Sequence, residues 1–295
     1  MRTLLLACVA LLAAGCGAVG AGDAPPPTPP PAQPAPDPGA TLYEATTTVL
    51  EAPGSEPMLC LGAVALSLPP QCGDVPVAGW SWEAVRGVEE ADGVRWGAFH
   101  VVGSYDGEIF TLVEAGPARP DEQGLENDRL EPPCPEPDGG WAITDPGAGS
   151  QSDVDRAQAY ATGRPDYVAS WVYHVEEPRD LEDGEYEESL PVVYVAVFTG
   201  DARLHETEIR ARWTGPLCVV EQDVPSAREA RRIRAEAEAS LDGLGLRMLS
   251  SWEGRPGVAA EIQVVADPGG QGQAALDERF GPGLVRLLPA LRPVG

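Results

Sequence analysis

Ala211-Arg212-Trp213-Thr214-Gly215-Pro216-Leu217 and, further along the chain, Glu278-Arg279-Phe280-Gly281-Pro282-Gly283-Leu284 read as two versions of one join. In each, an aromatic closes a helix, Gly and Pro stop it, and an apolar strand begins. Upstream of the first join, Asp201 caps a helix that runs to Trp213. Before it come strands over Tyr167–Val175 and Val192–Thr199, and a helix that Ser152 caps and Gly163 ends. Leu217–Glu221 follows as a strand, giving the order α-β-β-α-β. Around the second join, Ser226 opens a helix to Leu241, with Glu229 completing a capping box. Its apolar stripe, Ala230, Ile233, Ala237 and Leu241, has helical spacing. Strands over Leu246–Trp252 and Val258–Ala266, a helix over Gln273–Phe280 and a strand from Leu284 repeat the order. Ser170-Trp171 matches Ser251-Trp252 in the preceding hairpins. The expectation is an α+β domain over 141–295 with an internal repeat, 141–222 and 224–295. The alternative is that similar turn chemistry arose independently at two helix–strand joints.

The preceding region, 41–130, reads as a small β-rich domain, a barrel or a sandwich. Thr46–Glu51 suits a strand, and Met58–Leu68 is apolar up to Pro69-Pro70. The clearest element is a hairpin: Trp96–Val102 outward, Ser104-Tyr105-Asp106-Gly107 turning, and Glu108–Val113 returning. An OB-like barrel fits as well, although the basic and aromatic face that such barrels use for nucleic acid is not evident. Residues 131–140, rich in Pro, Gly and acids, read as a linker between the two domains.

The chain has no Lys, 20 Arg and 46 acids, for a formal charge of −26. So acidic a protein is a poor nucleic-acid binder, because phosphate neutralisation supplies most of that affinity. The same charge argues against a polybasic membrane patch. Beyond Cys8 and Cys16, four cysteines remain: Cys60, Cys72, Cys134 and Cys218. Three pairings are open. Cys60–Cys72 with Cys134–Cys218 is favoured, the first closing a local loop and the second tying the linker to the domain after it. Zinc is disfavoured, since no pair has C-x₂₋₄-C spacing and no His lies near a Cys.

Residues suited to catalysis are scattered. His100, His174 and His205 form neither HxH nor HExxH, and each reads as structural. No G-x-S-x-G elbow is present. Glu176–Glu188 holds eight acids and one Arg but lacks the EF-hand pattern, and reads as a solvated loop. Arg228, Arg231, Arg232 and Arg234 alternate with Glu236 and Glu238 at i,i+4 and read as a salt-bridged helix face. Trp171, Trp213 and Trp252 read as core. No cofactor, metal site or catalytic residue is expected.

The start of the chain gives an address. Met1-Arg2-Thr3 precedes an apolar run from Leu4 to Ala14, too short to span a bilayer. Leu12-Ala13-Ala14-Gly15-Cys16 resembles the lipobox of bacterial lipoproteins. That resemblance implies removal of residues 1–15, a diacylglycerol on Cys16, and a location on the extracytoplasmic face of a membrane. Asp23–Pro38 contains nine prolines and suits an extended tether within 16–40. Leu68-Pro69-Pro70-Gln71-Cys72-Gly73 and Trp80-Ser81-Trp82 are similar to segments of uncharacterised secreted lipoproteins from high-GC bacteria, a family that implies no activity. The αββαβ order looks like the prosegments of secreted serine proteases, by element order alone. The functional expectation is a membrane-anchored, non-enzymatic binding or envelope-interaction protein. A prosegment-like binder of a secreted protease is the alternative, and a hydrolase the second alternative.

Overall fold

The computed structural model describes residues 39–119, 130–141, 150–175 and 192–294. Cys16, residues 1–38 and the acidic stretch Glu176–Glu188 lie outside them. The described chain is mixed α+β. It opens with six strands: Leu42–Glu51 (β1), Met58–Cys60 (β2), Val75–Ala78 (β3), Glu89–Ala91 (β4), Val94–Tyr105 (β5) and Phe110–Pro117 (β6). β1 alternates buried and half-buried residues along most of its length, the period of a strand with one face on a core.

β1 pairs with both β2 and β5, which closes the ring β1-β2-β3-β6-β5. β3 and β6 run parallel and the other ring neighbours antiparallel, the Greek-key order of an OB-like barrel. Val49, Leu59, Val75, Val101 and Phe110 fill the interior with no exposed surface. At Gly103, where the register shifts because β6 carries an extra residue, Val113, a Cβ would stand 2.3 Å from the Thr111 carbonyl oxygen and 2.6 Å from the Phe110 ring. Only glycine lets those strands approach so closely. Trp80 and Trp82 stack edge-on against Phe99, with ring centroids 5.1 and 6.3 Å away.

Two lobes of helix and strand follow. The first comprises Gln151–Thr162 (α1), Tyr167–His174 (β7), Val192–Phe198 (β8), Ala202–Arg210 (α2) and Leu217–Glu221 (β9). The second comprises Ala227–Glu238 (α3), Met248–Trp252 (β10), Ala260–Val264 (β11), Gln271–Phe280 (α4) and Val285–Pro289 (β12). In each sheet the first two strands pair antiparallel and the third pairs parallel with the second. A last short strand, Arg292–Pro293 (β13), returns to pair with Tyr43 and Glu44 of β1. Val265, Ala266 and Leu291 are buried in the barrel's own core, so the second lobe and the barrel share apolar packing.

The local signals explain most helix ends. Asp201 accepts from the backbone N–H groups of Arg203 and Leu204. Ser226 and Glu229 form a reciprocal capping box. α1 starts two residues earlier than Ser152 implies: Ser150 stands at its N-cap, its hydroxyl turned to the Ser152 hydroxyl at 2.9 Å and not to the backbone. Trp213 is fully buried and its indole N–H donates to the Pro216 carbonyl at 2.7 Å. A Cβ on Gly215 would lie 2.7 Å from that indole, so the Gly-Pro stop is shaped around the Trp. Trp252 departs from the core reading: it is 40% exposed and donates to Glu261. No described helix is long and apolar enough to cross a membrane.

Candidate functional site

Pro57 to Gly73 contains no charged side chain, in a chain where charges make up 22% of residues. Sequence patterning reads such a stretch as core, yet only Met58–Cys60 becomes strand. After Leu61 the chain leaves the barrel as a loop and returns at Cys72. Cys60 and Cys72 are joined by a disulfide, with Cα atoms 5.4 Å apart. The base of the loop is bolted at several points. The Thr47 hydroxyl donates to the Cys60 carbonyl at 2.6 Å, the Gly62 N–H donates to the Asp74 carboxylate at 2.8 Å, and the Gln263 amide reaches the Leu61 carbonyl at 3.0 Å. Higher up, Ala65 and Gln71 bridge, and the Ser67 hydroxyl donates to the Pro69 carbonyl at 2.8 Å. Above these contacts stand Leu66, fully exposed, and Leu68, 78% exposed.

An exposed leucine alone needs no explanation. Two on one uncharged, cross-linked tip are different, because the fold holds them in water at a cost. Burying both would contribute roughly 3–6 kcal/mol. The disulfide and the loop's own hydrogen bonds remove the ordering entropy that a floppy loop would lose on binding.

The histidines occupy three separate elements. His174 ends β7, exposed. His100 is buried on β5, its Nδ1 3.3 Å from the Thr46 hydroxyl and its Nε2 3.5 Å from Glu44. His205, on α2, sits in a network that sequence spacing does not reveal. Its Nε2 lies 2.8 Å from the Asp166 carboxylate and its Nδ1 3.0 Å from the Tyr160 hydroxyl. A neutral ring carrying its proton on Nε2 donates to Asp166 and accepts from Tyr160, which satisfies both nitrogens. The imidazole stacks on Phe198 at 3.7 Å, and the Arg164 and Arg212 guanidiniums lie over the Tyr160 ring. Burial raises the Tyr160 phenol above its ordinary range, with the two arginines opposing the rise. Asp-His-Tyr is a chemically capable trio. Here, however, it joins α1, α2 and the start of β7, with the ring buried and, among the described residues, no serine or cysteine hydrogen-bonded to it.

Cys134 and Cys218 form the second disulfide, with Cα atoms 5.7 Å apart. It pins residues 130–141 over the face of the first sheet that the helices leave bare. There Cys134 and Trp141 pack against Val193 and Val195, and the Trp171 indole donates to the Leu130 carbonyl at 2.9 Å. The arginines of α3 mostly face carboxylates: Arg232 pairs with Glu236 at 2.9 Å, Arg234 with Glu238 at 3.5 Å, and Arg231 with Glu253 at 3.9 Å. Glu229 already takes the Ser226 N–H at the N-terminus of that helix. Among the described residues no three His, Cys, Asp or Glu side chains converge as metal ligands.

No protein-family model matches the chain, and neither a curated protein nor a solved structure matches it.

Proposed function

We propose that this chain is a membrane-tethered, extracytoplasmic binding protein that engages a partner protein by inserting Leu66 and Leu68 into an apolar pocket. The observation that carries the reading is the disulfide-closed, uncharged tip with both leucines in solvent. Aliphatic anchors on a preorganised loop suit a compact interface in which a few buried side chains supply most of the energy. Two disulfides suit an oxidising compartment. The lipobox-like Cys16 supplies the anchor in this reading, and the Pro-rich stretch after it the spacer. The two lobes are then copies of one unit, each with the order αββαβ. With both His205 nitrogens engaged inside the protein, the arrangement favours binding over catalysis.

One experiment separates anchor from tip. Cells are fed a fatty-acid analogue, and wild type is compared with Cys16→Ala. Labelling that survives the substitution ends the anchor claim. In the same cells, a photo-crosslinker at Ser67 is scored with and without Leu66→Asp plus Leu68→Asp. A defined adduct lost only in the double variant supports the tip. An adduct formed equally by both ends that claim, and so does crosslinking only to lipid, which would make the tip a bilayer contact.

The strand order shared by the two lobes favours a second reading, a prosegment-like binder of a secreted protease whose apolar specificity pocket accepts Leu66. Inhibition of a leucine-preferring serine protease by wild type but not by Leu66→Asp would select it.

A further inference from the structure

Where the turn after α1 meets the first half of α3 lies a cavity of about 470 Å³, lined by Arg164, Pro165 and Tyr167 from the first lobe and by Ala227, Arg228 and Arg231 from α3, among others. Its size suits a small molecule. Three of its eight lining residues are arginines and none is an acid, in a chain with 46 acids and 20 bases. The cavity is thus a positive spot on a strongly negative protein.

The charges of these arginines are largely unspent. Arg228 and Arg231 stand three residues apart on α3, so they leave the same face of the helix. Among the described residues Arg228 forms no ion pair. Its neighbour Glu229 turns to the helix end instead, where its Oε2 accepts from the Ser226 N–H at 3.0 Å and the Ser226 hydroxyl at 2.8 Å. Arg231 has only a long pairing with Glu253, at 3.9 Å, and Glu253 does not line this cavity. The Arg164 guanidinium lies 4.8 Å over the Tyr160 ring and forms no ion pair among the described residues. A guanidinium stacked by its flat face keeps its N–H edge for other partners. Asp166, beside Pro165 in the chain, is turned to His205 at 2.8 Å. The other donors of the turn are occupied: the Thr162 hydroxyl donates to the Gln158 carbonyl and the Arg164 N–H to the Ala161 carbonyl. What the cavity offers a ligand is guanidinium.

We propose that Arg164, Arg228 and Arg231 hold a phosphate dianion in this cavity, free or as the monoester of a small molecule. Arginine forks match phosphate oxygens in charge and shape, and three terminal oxygens can be shared among several forks. A carboxylate, with one charge and two oxygens, uses fewer of them. The formal charge of −26 repels a long polyanion as a whole, which favours a small ligand over nucleic acid. This site is independent of the leucine tip and of the anchor, and it stands or falls separately.

Calorimetric titration of the full chain in detergent, at about pH 7.5 where a phosphate monoester carries close to two charges, tests it. The probes are inorganic phosphate, glucose phosphate, glycerol phosphate as the soluble part of a lipid headgroup, and acetate. At least one phosphate is expected to bind about fivefold or more tightly than acetate, the upper range for an exposed ion pair. The tightest of the three tells a free ion, a phosphorylated sugar and a lipid headgroup apart. Arg228→Gln and Arg164→Gln should each weaken that phosphate about fivefold. Glu253→Gln, which frees Arg231, should tighten it several-fold, a gain that loss of structure does not produce. Arg232→Gln removes the same charge from α3 outside the cavity and should leave binding unmoved. Equal binding of acetate and all three phosphates overturns the proposal. So does an Arg232→Gln loss as large as that of Arg228→Gln, which would assign the effect to net charge alone.

Discussion

In the first lobe six of the seven residues of β8 are buried, whereas β11, its counterpart in the second, alternates buried and half-buried. The difference lies in what covers each sheet. Both have helices on one face. The other face of the first sheet is sealed by residues 130–141, held down by Cys134–Cys218. The other face of the second leans on the barrel through Gln263 and Leu249, and is otherwise bordered by exposed polar contacts such as Trp252–Glu261–Arg286. The helices are fixed differently as well. In the first lobe a buried His205 network ties α2 to α1 and β7. In the second, the Asp267 carboxylate receives the Gly272 and Gln273 N–H groups, and a Cβ on Gly272 would crowd Leu246 at 2.5 Å. One strand order is thus stable with a side-chain network and a stapled cover, or with a backbone cap and a neighbouring domain's core.

The largest way to break the comparison is to remove the staple. Cys134→Ser with Cys218→Ser opens a loop spanning 84 residues and should cost about 4–5 kcal/mol on the chain-entropy model. Hydrogen exchange should speed up in β8 and leave β11 nearly unchanged; equal acceleration in both would mean the lobes are one cooperative unit. His205→Ala leaves a void beside Phe198 and takes a partner from Asp166 and from Tyr160. A loss of about 3 kcal/mol in denaturant melts is expected.

Alkaline pH sharpens the contrast. Burial pushes the Tyr194 phenol, on β8, up to about 12, with Ser170 opposing. A raised folded pKa means the stabilisation is complete below the unfolded value, near 10, and is lost as pH climbs towards about 12. Between about pH 9 and about pH 11.5 the loss should approach about 2 kcal/mol, and Tyr194→Phe should remove that slope. The smallest effect belongs to the second lobe: Asp267→Ala deletes a cap and should cost about 1–2 kcal/mol, loosening α4 alone.

What could be read from sequence was local. The Asp106 turn, the Asp201 cap and the Ser226–Glu229 box depend on residues a few positions apart, and they form. The Arg–Glu pairs of α3 likewise follow from helical spacing. The long-range features were out of reach. Closure of the barrel rests on β1 meeting β5, with Leu42 opposite Ser104 and Glu51 opposite Arg95, and nothing local encodes that pairing. Asp166, His205 and Tyr160 meet across a fold, without a motif. That Leu66 and Leu68 stand in water was out of reach as well: hydrophobicity predicts burial, and a tip that keeps leucines in solvent runs against the rule sequence patterning relies on. The favoured Cys60–Cys72 pairing already marked a local loop there, and that disulfide forms.

The return of β13 to β1 has a mechanical consequence. Residues 292–293 lie beside residues 43–44, so the described chain begins and ends at one side of the barrel. A pull applied at Leu42 along β1 is resisted by a ten-residue pairing with β5, from Leu42–Ser104 to Glu51–Arg95. Those hydrogen bonds are strained together, in shear, and not opened one at a time like a zipper. A head tethered from that end, as proposed above, would carry a load over the whole β1–β5 pairing and not lose it strand residue by strand residue.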